Sequence, residues 1–208
     1  MIQEVVAIID RSGSMAGKEI DTINGINSTI EELKKNKKDE RIKFSLKFFD
    51  NKENLRIRSM DIENVYPLNV YDLIPRGQTA LLDAMGNTLT YFITKKMCDP
   101  IAFNSCVIYI ATDGFENCSR KYTNDSIRNL IEEAKKYSIE LLYLAANQDA
   151  ILEASKFGLD SSNAINYSET PENTQAVYRS AANAAKRYRS GESVGFTLPE
   201  RVASVSND

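Results

Sequence analysis

Short apolar runs alternate along this chain with segments whose apolar residues recur every three or four positions. Val5-Val6-Ala7-Ile8-Ile9 and Val107-Ile108-Tyr109-Ile110-Ala111 have the composition of strands that are buried on both faces of a parallel sheet. The segments between such runs have the period of amphipathic helices, which provide the crossover connections that parallel strands need. The alternation predicts an α/β fold, with a doubly wound, mostly parallel central sheet, helices on both faces and one antiparallel edge strand.

The same periodicities give the extent of each element. We predict strands over residues 4–9, 42–49, 105–112, 139–146 and 164–167, and an edge hairpin or a strand plus loop over residues 54–59 and 62–70. We predict helices over residues 19–35, 80–96, 123–137, 149–157 and 174–189. The final segment is polar and contains Gly and Pro, so we expect one domain over residues 1–189 and a flexible C-terminal tail over residues 190–208.

Charge and composition exclude several classes of function. The net charge is −3, whereas a general nucleic-acid-binding protein carries a basic surplus. No apolar run approaches the roughly 20 residues that span a bilayer, and the start Met1-Ile2-Gln3-Glu4 has no basic leader. Cys98, Cys106 and Cys118 are an odd number without metal-ligand spacing, as expected for reduced thiols. We therefore expect a cytoplasmic protein with neither a nucleic-acid nor a membrane partner.

Histidine is absent from the chain. A Ser-His-Asp or Cys-His nucleophilic site is therefore excluded within this chain. A zinc site with a histidine ligand is excluded for the same reason, and scattered cysteines make a poor thiolate cage.

Carboxylate and hydroxyl side chains recur at alternate positions directly after the first apolar run, in Asp10-Arg11-Ser12-Gly13-Ser14. This spacing suits a tight turn that folds three oxygen donors toward one point, and the glycine favours such a turn. Asp113 follows the second apolar run in the same way, and Gly114 after it also permits a tight turn. Sites in doubly wound sheets lie beyond the carboxyl ends of the strands, so Asp10 and Asp113 become neighbours if their strands pair. Adjacent carboxylates repel each other unless a cation lies between them, and these donors suit a hard ion such as Mg²⁺.

Together with Thr79 in the loop Gly77-Gln78-Thr79-Ala80-Leu81, these residues make the chain resemble a von Willebrand factor type A domain with a metal-ion-dependent adhesion site. That family has an Asp-x-Ser-x-Ser motif after its first strand, a Thr in a later loop and an Asp after its fourth strand. The resemblance covers nearly the whole chain up to about Arg189. Several segments make it most similar to small stand-alone bacterial and phage members. These are residues 21–24 with Asn27, and residues 49–50, 76–84, 112–117 and 144–150.

The resemblance implies a metal site and a class of function. The metal ligands that it implies are Asp10, Ser12, Ser14, Thr79 and Asp113. In the family the hydroxyls usually contact the metal directly, and the acids often do so through water. A compact donor set with waters favours Mg²⁺ or Mn²⁺ over Ca²⁺. One coordination position stays open for an Asp or Glu carboxylate of a partner protein, so the implied function is a metal-dependent protein-binding module and not an enzyme.

Two other functions and a simpler interpretation of the motif stay open. An Mg²⁺-dependent phosphohydrolase could use Asp10 as its nucleophile, but that chemistry usually needs an acid two residues later, where this chain has Ser12. A structural protein could hold the metal only for stability. Ser12 and Ser14 could instead cap the turn and the following helix, and Asp113-Gly114 could be an ordinary turn.

Charged residues also flank the predicted site. We interpret Arg11 and Arg76 as solvated or paired with an acid. Asp50 follows a predicted strand and is interpreted as a turn residue. Asp83 lies in the helix after Thr79 and is interpreted as a surface or supporting residue and not as a ligand.

Overall fold

The computed structural model describes residues 1–35, 40–146 and 149–205. Strands and helices alternate through most of this length and are joined by loops and short 3-10 turns. The strands are β1 (Ile2–Asp10), β2 (Arg41–Phe49), β3 (Glu53–Asp61), β4 (Ser105–Thr112), β5 (Ile139–Ala146) and β6 (Ala164–Tyr167). The helices are α1 (Glu19–Lys34), α2 (Leu81–Cys98), α3 (Asn124–Lys135), α4 (Ala150–Lys156), α5 (Pro171–Arg189) and α6 (Leu198–Ala203).

The strands form one six-stranded sheet in the order β3-β2-β1-β4-β5-β6. Neighbouring strands are parallel except for β3, which runs antiparallel to β2 at one edge. The predicted fold class is thereby confirmed. The strand order reverses between β1 and β4, so the carboxyl ends of these two strands are where a doubly wound sheet places its site.

The alternation of side chains along β1 divides the core between the two faces of the sheet. Val5, Ala7 and Ile9 pack on the face covered by α1 and α5. Val6 and Ile8 pack on the face covered by α2, α3 and α4. A central strand that is buried on both faces needs apolar residues at every position, which explains the continuous apolar run in the sequence.

Helices α1 and α5 approach each other closely at Gly25. A Cβ at this position would lie 2.8 Å from Tyr178 Cδ2, so only glycine allows the tyrosine ring to lie against the α1 backbone. The Thr29 hydroxyl also donates to the Tyr178 carbonyl oxygen at 2.9 Å. This packing offsets the intrinsic cost of a glycine inside a helix.

The largest difference between a predicted helix and its observed bounds is at the start of α5. The helix begins at Pro171, before the first residue of its apolar pattern. The Thr170 hydroxyl accepts a hydrogen bond from the Asn173 N–H at 3.2 Å, and proline fits the first helical turn because no N–H is needed there. The helix start is therefore determined by capping, which a search for apolar periodicity does not detect.

The flexible tail expected over residues 190–208 is corrected by the structure. Val194 and Phe196 are buried in the core on the α1 and α5 face of the sheet. The prediction was wrong because two apolar residues in a polar segment show neither a helical nor a strand period. Their side chains nevertheless pack into the core of the domain.

Helix α6 fastens this segment further. Arg187 on α5 donates to both carboxylate oxygens of Glu200, at 2.8 and 2.9 Å. The Ser204 hydroxyl donates to the carbonyl oxygen of Asn166 on β6 at 2.7 Å. Residues 206–208 of the expected tail lie outside the described residues.

In the part of the chain that the structure describes, no helix has both the length and the apolar character needed to cross a bilayer. The three cysteines lie in that part and are free thiols. Cys106 is buried, Cys98 is exposed and Cys118 is partly exposed.

Candidate metal centre

Asp10 is the last residue of β1, at the carboxyl edge of the sheet, and it is fully buried. In the pairing of β1 with β4, Ile9 lies opposite Ala111, so Thr112 comes next to Asp10. The Thr112 hydroxyl donates to Asp10 Oδ2 at 2.6 Å, and the Ser12 N–H donates to Asp10 Oδ1 at 2.7 Å. These two hydrogen bonds fix the carboxylate and leave each oxygen able to accept a further contact.

Burial raises the pKa of the Asp10 carboxyl from its usual 3.8 to about 6. Hydrogen bonds from Thr112 and Ser12 oppose this shift, and the nearby charge of Asp113 adds to it. Burial of a charged carboxylate costs free energy, and a cation bound beside it reduces that cost. Shifted carboxyl groups of this kind are frequent at functional sites.

The two serine hydroxyls of the first motif form a hydrogen-bonded path to Asp113. Ser12 Oγ and Ser14 Oγ lie 3.0 Å apart, within hydrogen-bonding distance, and Ser14 Oγ donates to Asp113 Oδ1 at 2.7 Å. Ser12 precedes the short 3-10 turn Gly13–Met15, but its side chain makes no capping hydrogen bond to that turn. The interpretation of Ser12 as a cap is therefore wrong, and its hydroxyl faces Ser14 instead.

Thr79 approaches the same place from the loop before α2. It is buried, its N–H donates to Asn117 Oδ1 at 2.9 Å, and its carbonyl oxygen accepts the Asn117 N–H at 3.1 Å. A Cβ on Gly114 would lie 3.3 Å from Ser14 Oγ and 3.5 Å from Thr79 Oγ1. The hydroxyls of Ser14 and Thr79 therefore both lie close to Gly114. Because glycine has no Cβ, no side chain at this position occupies the space beside the two hydroxyls.

These side chains form a donor set of carboxylate and hydroxyl oxygens. Its members are Asp10, Ser12, Ser14, Thr79 and Asp113. Such donors suit a hard divalent cation of the Mg²⁺ type. Across residues 1–35, 40–146 and 149–205, no three or more Cys, Asp or Glu side chains form a group that could hold a metal ion. A metal bound at this edge would therefore depend on the hydroxyl oxygens as well as on the acids.

Backbone hydrogen bonds hold the loops of this edge together. The Gly13 N–H donates to the Gly77 carbonyl oxygen at 3.1 Å, and the Arg76 N–H donates to the Arg11 carbonyl oxygen at 2.8 Å. Gly77 has a φ of +70°, in the left-handed region that glycine adopts most easily. The loop before α2 is thereby fixed to the first motif.

Asp50, which follows β2, has a larger role than its sequence context indicated. Its side chain is fully buried, and Arg11 Nε and Arg76 Nε each lie 2.9 Å from its Oδ2. Its Oδ1 accepts the Lys52 N–H at 2.6 Å, which is the turn that we expected. One carboxylate thus pairs with both arginines that flank the site and adds a side-chain connection between their loops.

Two further acids near the site bind backbone amides. Asp83 accepts hydrogen bonds at 2.9 to 3.0 Å from the N–H groups of residues 120–122. Glu116 accepts the Leu82 N–H at 2.9 Å and the Ser119 N–H at 2.6 Å. Both carboxylates fasten the loop after β4 to the start of α2, which agrees with the interpretation of Asp83 as a supporting residue.

A lysine and a glutamate beside the site were missed by the sequence analysis. Lys18, directly before α1, donates to Asp113 Oδ2 and also pairs with Glu169 Oε1. The Asp113 side chain is 1% exposed, whereas those of Lys18 and Glu169 are each 28% exposed. Lys18 therefore places a positive charge directly on one of the acids of the candidate site.

Comparisons with known proteins identify the fold. No family model and no curated protein sequence matches this chain. A von Willebrand factor type A structure from Catenulispora acidiphila is similar, with a TM-score of 0.59 and 17% identity over 89% of this chain and 43% of that chain. The von Willebrand factor domain of the type V pili tip protein Mfa5 from Porphyromonas gingivalis has a TM-score of 0.61 and 13% identity over 95% of this chain and 98% of that chain.

A third similar structure is the pilus adhesin SpaC from Lactobacillus rhamnosus GG, with a TM-score of 0.64 and 11% identity over 89% of this chain and 30% of that chain. The chain spans less than half the length of the Catenulispora acidiphila structure and of the mussel byssus protein PTMP1, another similar structure. At sequence identities between 11% and 17%, the similarity to these structures shows the fold alone. The chain has the fold of a von Willebrand factor type A domain.

Proposed function

We propose that this chain is a protein-binding module whose binding depends on a divalent cation, Mg²⁺ or Mn²⁺. The proposed ligands of the cation are Asp10, Ser12, Ser14, Thr79 and Asp113. When bound, the cation supplies a localised positive charge with one coordination position left for an Asp or Glu carboxylate of a partner protein. The fold, which is shared with the pili tip protein and the pilus adhesin, supports a role in protein binding.

The observation that carries this proposal is the path of hydrogen bonds from Ser12 through Ser14 to Asp113. The side chains come from loops after β1 and β4, and Thr79 adds a hydroxyl from a third loop across Gly114. Hydroxyls that satisfy one another in this way can exchange those hydrogen bonds for contacts with a cation without becoming buried and unpaired.

The charge of the donor set favours an anionic ligand. Serine and threonine hydroxyls are neutral, so Asp10 and Asp113 are the only ionised groups in the proposed set. Acids that act through water neutralise a divalent ion less completely than acids in direct contact with it. The cation therefore keeps positive character and attracts a carboxylate.

Exposed apolar side chains at the same edge of the sheet are available to a protein partner. Phe115 lies in the loop after β4, and Ile20 and Leu152 lie in the first turns of α1 and α4. Protein interfaces combine apolar contacts with a smaller number of hydrogen bonds and other polar contacts.

The geometry of Asp10 counts against the phosphohydrolase alternative. Asp10 is fully buried, so its carboxylate is not exposed to a substrate of the size of a phosphomonoester. The residue two positions later is Ser12, whose hydroxyl faces Ser14. We therefore propose a role without catalysis.

Affinity capture with the immobilised protein tests the proposal. Proteins from a lysate of the host cell are captured with Mg²⁺ and with a chelator, and are quantified by mass spectrometry. We expect the chelator and Thr79→Ala to remove the same partner. Thr90→Ala is the matched control, because it removes a hydroxyl from the exposed surface of α2, where the Thr90 hydroxyl lies 3.2 Å from the Tyr122 hydroxyl.

Capture of the same proteins in equal amounts with Mg²⁺ and with the chelator would contradict the proposal. A Mg²⁺-dependent rise in melting temperature without any Mg²⁺-dependent partner would favour the alternative of a purely stabilising metal. Turnover of a phosphomonoester that is lost in Asp10→Asn would favour the enzyme.

A further inference from the structure

The ammonium group of Lys18 lies against one of the acids that we assign to the metal. Asp113 Oδ1 accepts the Ser14 hydroxyl, and Asp113 Oδ2 accepts Lys18 Nζ. Both oxygens of this almost fully buried carboxylate are therefore in use. Lys18 itself is only partly buried, so its side chain has access to solvent and to other positions.

A lysine at this place opposes a divalent cation in two ways. The ammonium already satisfies Asp113 with a charge-assisted hydrogen bond, which a cation or its bound water must replace. It also repels a second positive charge brought to the same carboxylate, and this repulsion is poorly screened where Asp113 is buried. The metal-free protein is thus neutralised at Asp113 by its own side chain.

The surroundings of Lys18 provide another place for its charge. Glu169, just before α5, already pairs with Lys18 Nζ. A cavity of about 140 Å³ lies beside them, and its lining includes Asp21, Tyr167 and Thr174. The cavity therefore has acidic groups from both α1 and the loop before α5, and it is large enough for a lysine ammonium to move within it.

We propose that Lys18 sets the metal affinity of the site, because its ammonium competes with the divalent cation for Asp113 and is received by Glu169 when the cation binds. This inference rests on the proposed metal site. It assigns opposite effects to two residues of one ion pair: Lys18 weakens metal binding, and Glu169 strengthens it.

Isothermal titration of the whole protein with Mg²⁺ alone and with Mn²⁺ alone tests this assignment. We expect Lys18→Met to lower the dissociation constant about tenfold, the effect of one charge-assisted interaction near a protein surface. Lys18→Gln should act in the same direction. Glu169→Gln should raise the dissociation constant, and this effect should be smaller in the Lys18→Met background, since the two side chains act on each other.

The control separates direct competition from the general charge of the site. Lys52→Met also removes a cation at this edge, but Lys52 is exposed in the turn after β2, and its contacts with Asp50 come from its backbone N–H and carbonyl oxygen. We expect this variant to bind Mg²⁺ and Mn²⁺ within about twofold of the wild type, because the charge is not on a proposed ligand.

The outcomes distinguish this inference from the proposed function. If the wild type binds Mn²⁺ and Lys18→Met and Lys18→Gln bind it no better, or if Lys52→Met binds it as tightly as Lys18→Met, the inference is wrong and the metal site stands. If neither the wild type nor Lys18→Met binds either ion, both proposals are wrong. Binding that appears only when Lys18 is replaced supports both.

Discussion

The Thr112 hydroxyl donates to Asp10 Oδ2 at 2.6 Å across the pair of strands β1 and β4. Thr112 is fully buried, and its oxygen also lies 3.2 Å from the Gly114 N–H, which donates to it. One hydroxyl therefore positions both the acid of the first motif and the start of the loop that carries Asp113. The hydrogen bond from Thr112 to Asp10 thereby connects β4 to β1 at the edge of the sheet where the proposed ligands lie.

Thr112→Val should destabilise the metal-free protein by about 1 to 3 kcal/mol at neutral pH. Valine has a similar shape, but it leaves Asp10 Oδ2 buried without this donor, and an unsatisfied buried acceptor has a cost of that order. Urea denaturation in the presence of a chelator measures the change. Thr112→Ser, which keeps the hydroxyl, should lose clearly less stability, and equal losses in the two variants would show that the hydrogen bond is not the cause.

The raised pKa of Asp10 predicts that this carboxyl makes the metal-free protein less stable as the pH rises from about 4 to about 6, compared with a variant in which it cannot ionise. The carboxyl has a pKa near 3.8 in the unfolded chain and about 6 in the folded protein. Between these values Asp10 keeps a proton in the folded protein that it has lost in the unfolded chain, so its contribution to stability falls with rising pH, by roughly 3 kcal/mol. Urea midpoints measured with a chelator across this range test the slope.

Asp10→Asn should remove this contribution to the pH dependence. Asparagine does not ionise, its Oδ1 can accept the Ser12 N–H, and its amide can donate to Thr112 Oγ1, which can in turn donate to the Gly114 carbonyl oxygen. We expect the variant to be more stable than the wild type at neutral pH without metal, and to gain no stability from Mg²⁺. A variant with the same pH slope as the wild type would show that another group causes it.

A chain that ends at Arg189 should be less stable than one that ends at Val205. Val194 and Phe196 are buried, and loss of their contacts should cost about 3 kcal/mol or more, given the usual value of burying such side chains. Thermal and urea unfolding of the two chains measure the difference. Equal stabilities would mean that these residues do not contribute to the core.

The fold was predictable from local patterns. Strands such as β1 and β4 are buried on both faces, so their apolar runs are continuous, and the helices between them bury one face and show it as a period. The first part of the site was predictable for a related reason. Asp10, Ser12 and Ser14 lie within one turn of chain, and Asp113 directly follows β4, whose apolar run marks it as a core strand.

The remaining features depend on contacts between residues that are far apart in the chain. Asp50 looks like an ordinary turn residue until Arg11 and Arg76 are brought beside it. Lys18 and Glu169 look like solvated charges until α5 folds back against α1. No local period or spacing marks such pairs, because each partner is typical of a protein surface by itself.

The glycines of the motifs illustrate the same limit of local reasoning. We expected Gly114 to permit a tight turn. Its φ lies outside the left-handed region, and the absence of its Cβ leaves space between the hydroxyls of Ser14 and Thr79. The left-handed conformation occurs instead at Gly77, in the loop that leads to Thr79.

Anomalous diffraction from crystals soaked in Mn²⁺ tests the proposed metal site most directly. We predict an anomalous peak in contact with the hydroxyl oxygens of Ser12, Ser14 and Thr79, and loss of that peak in Asp10→Asn crystals soaked in the same way. A map without a peak at this edge, in which Ser14 still donates to Asp113, would contradict the metal site and the function proposed from it.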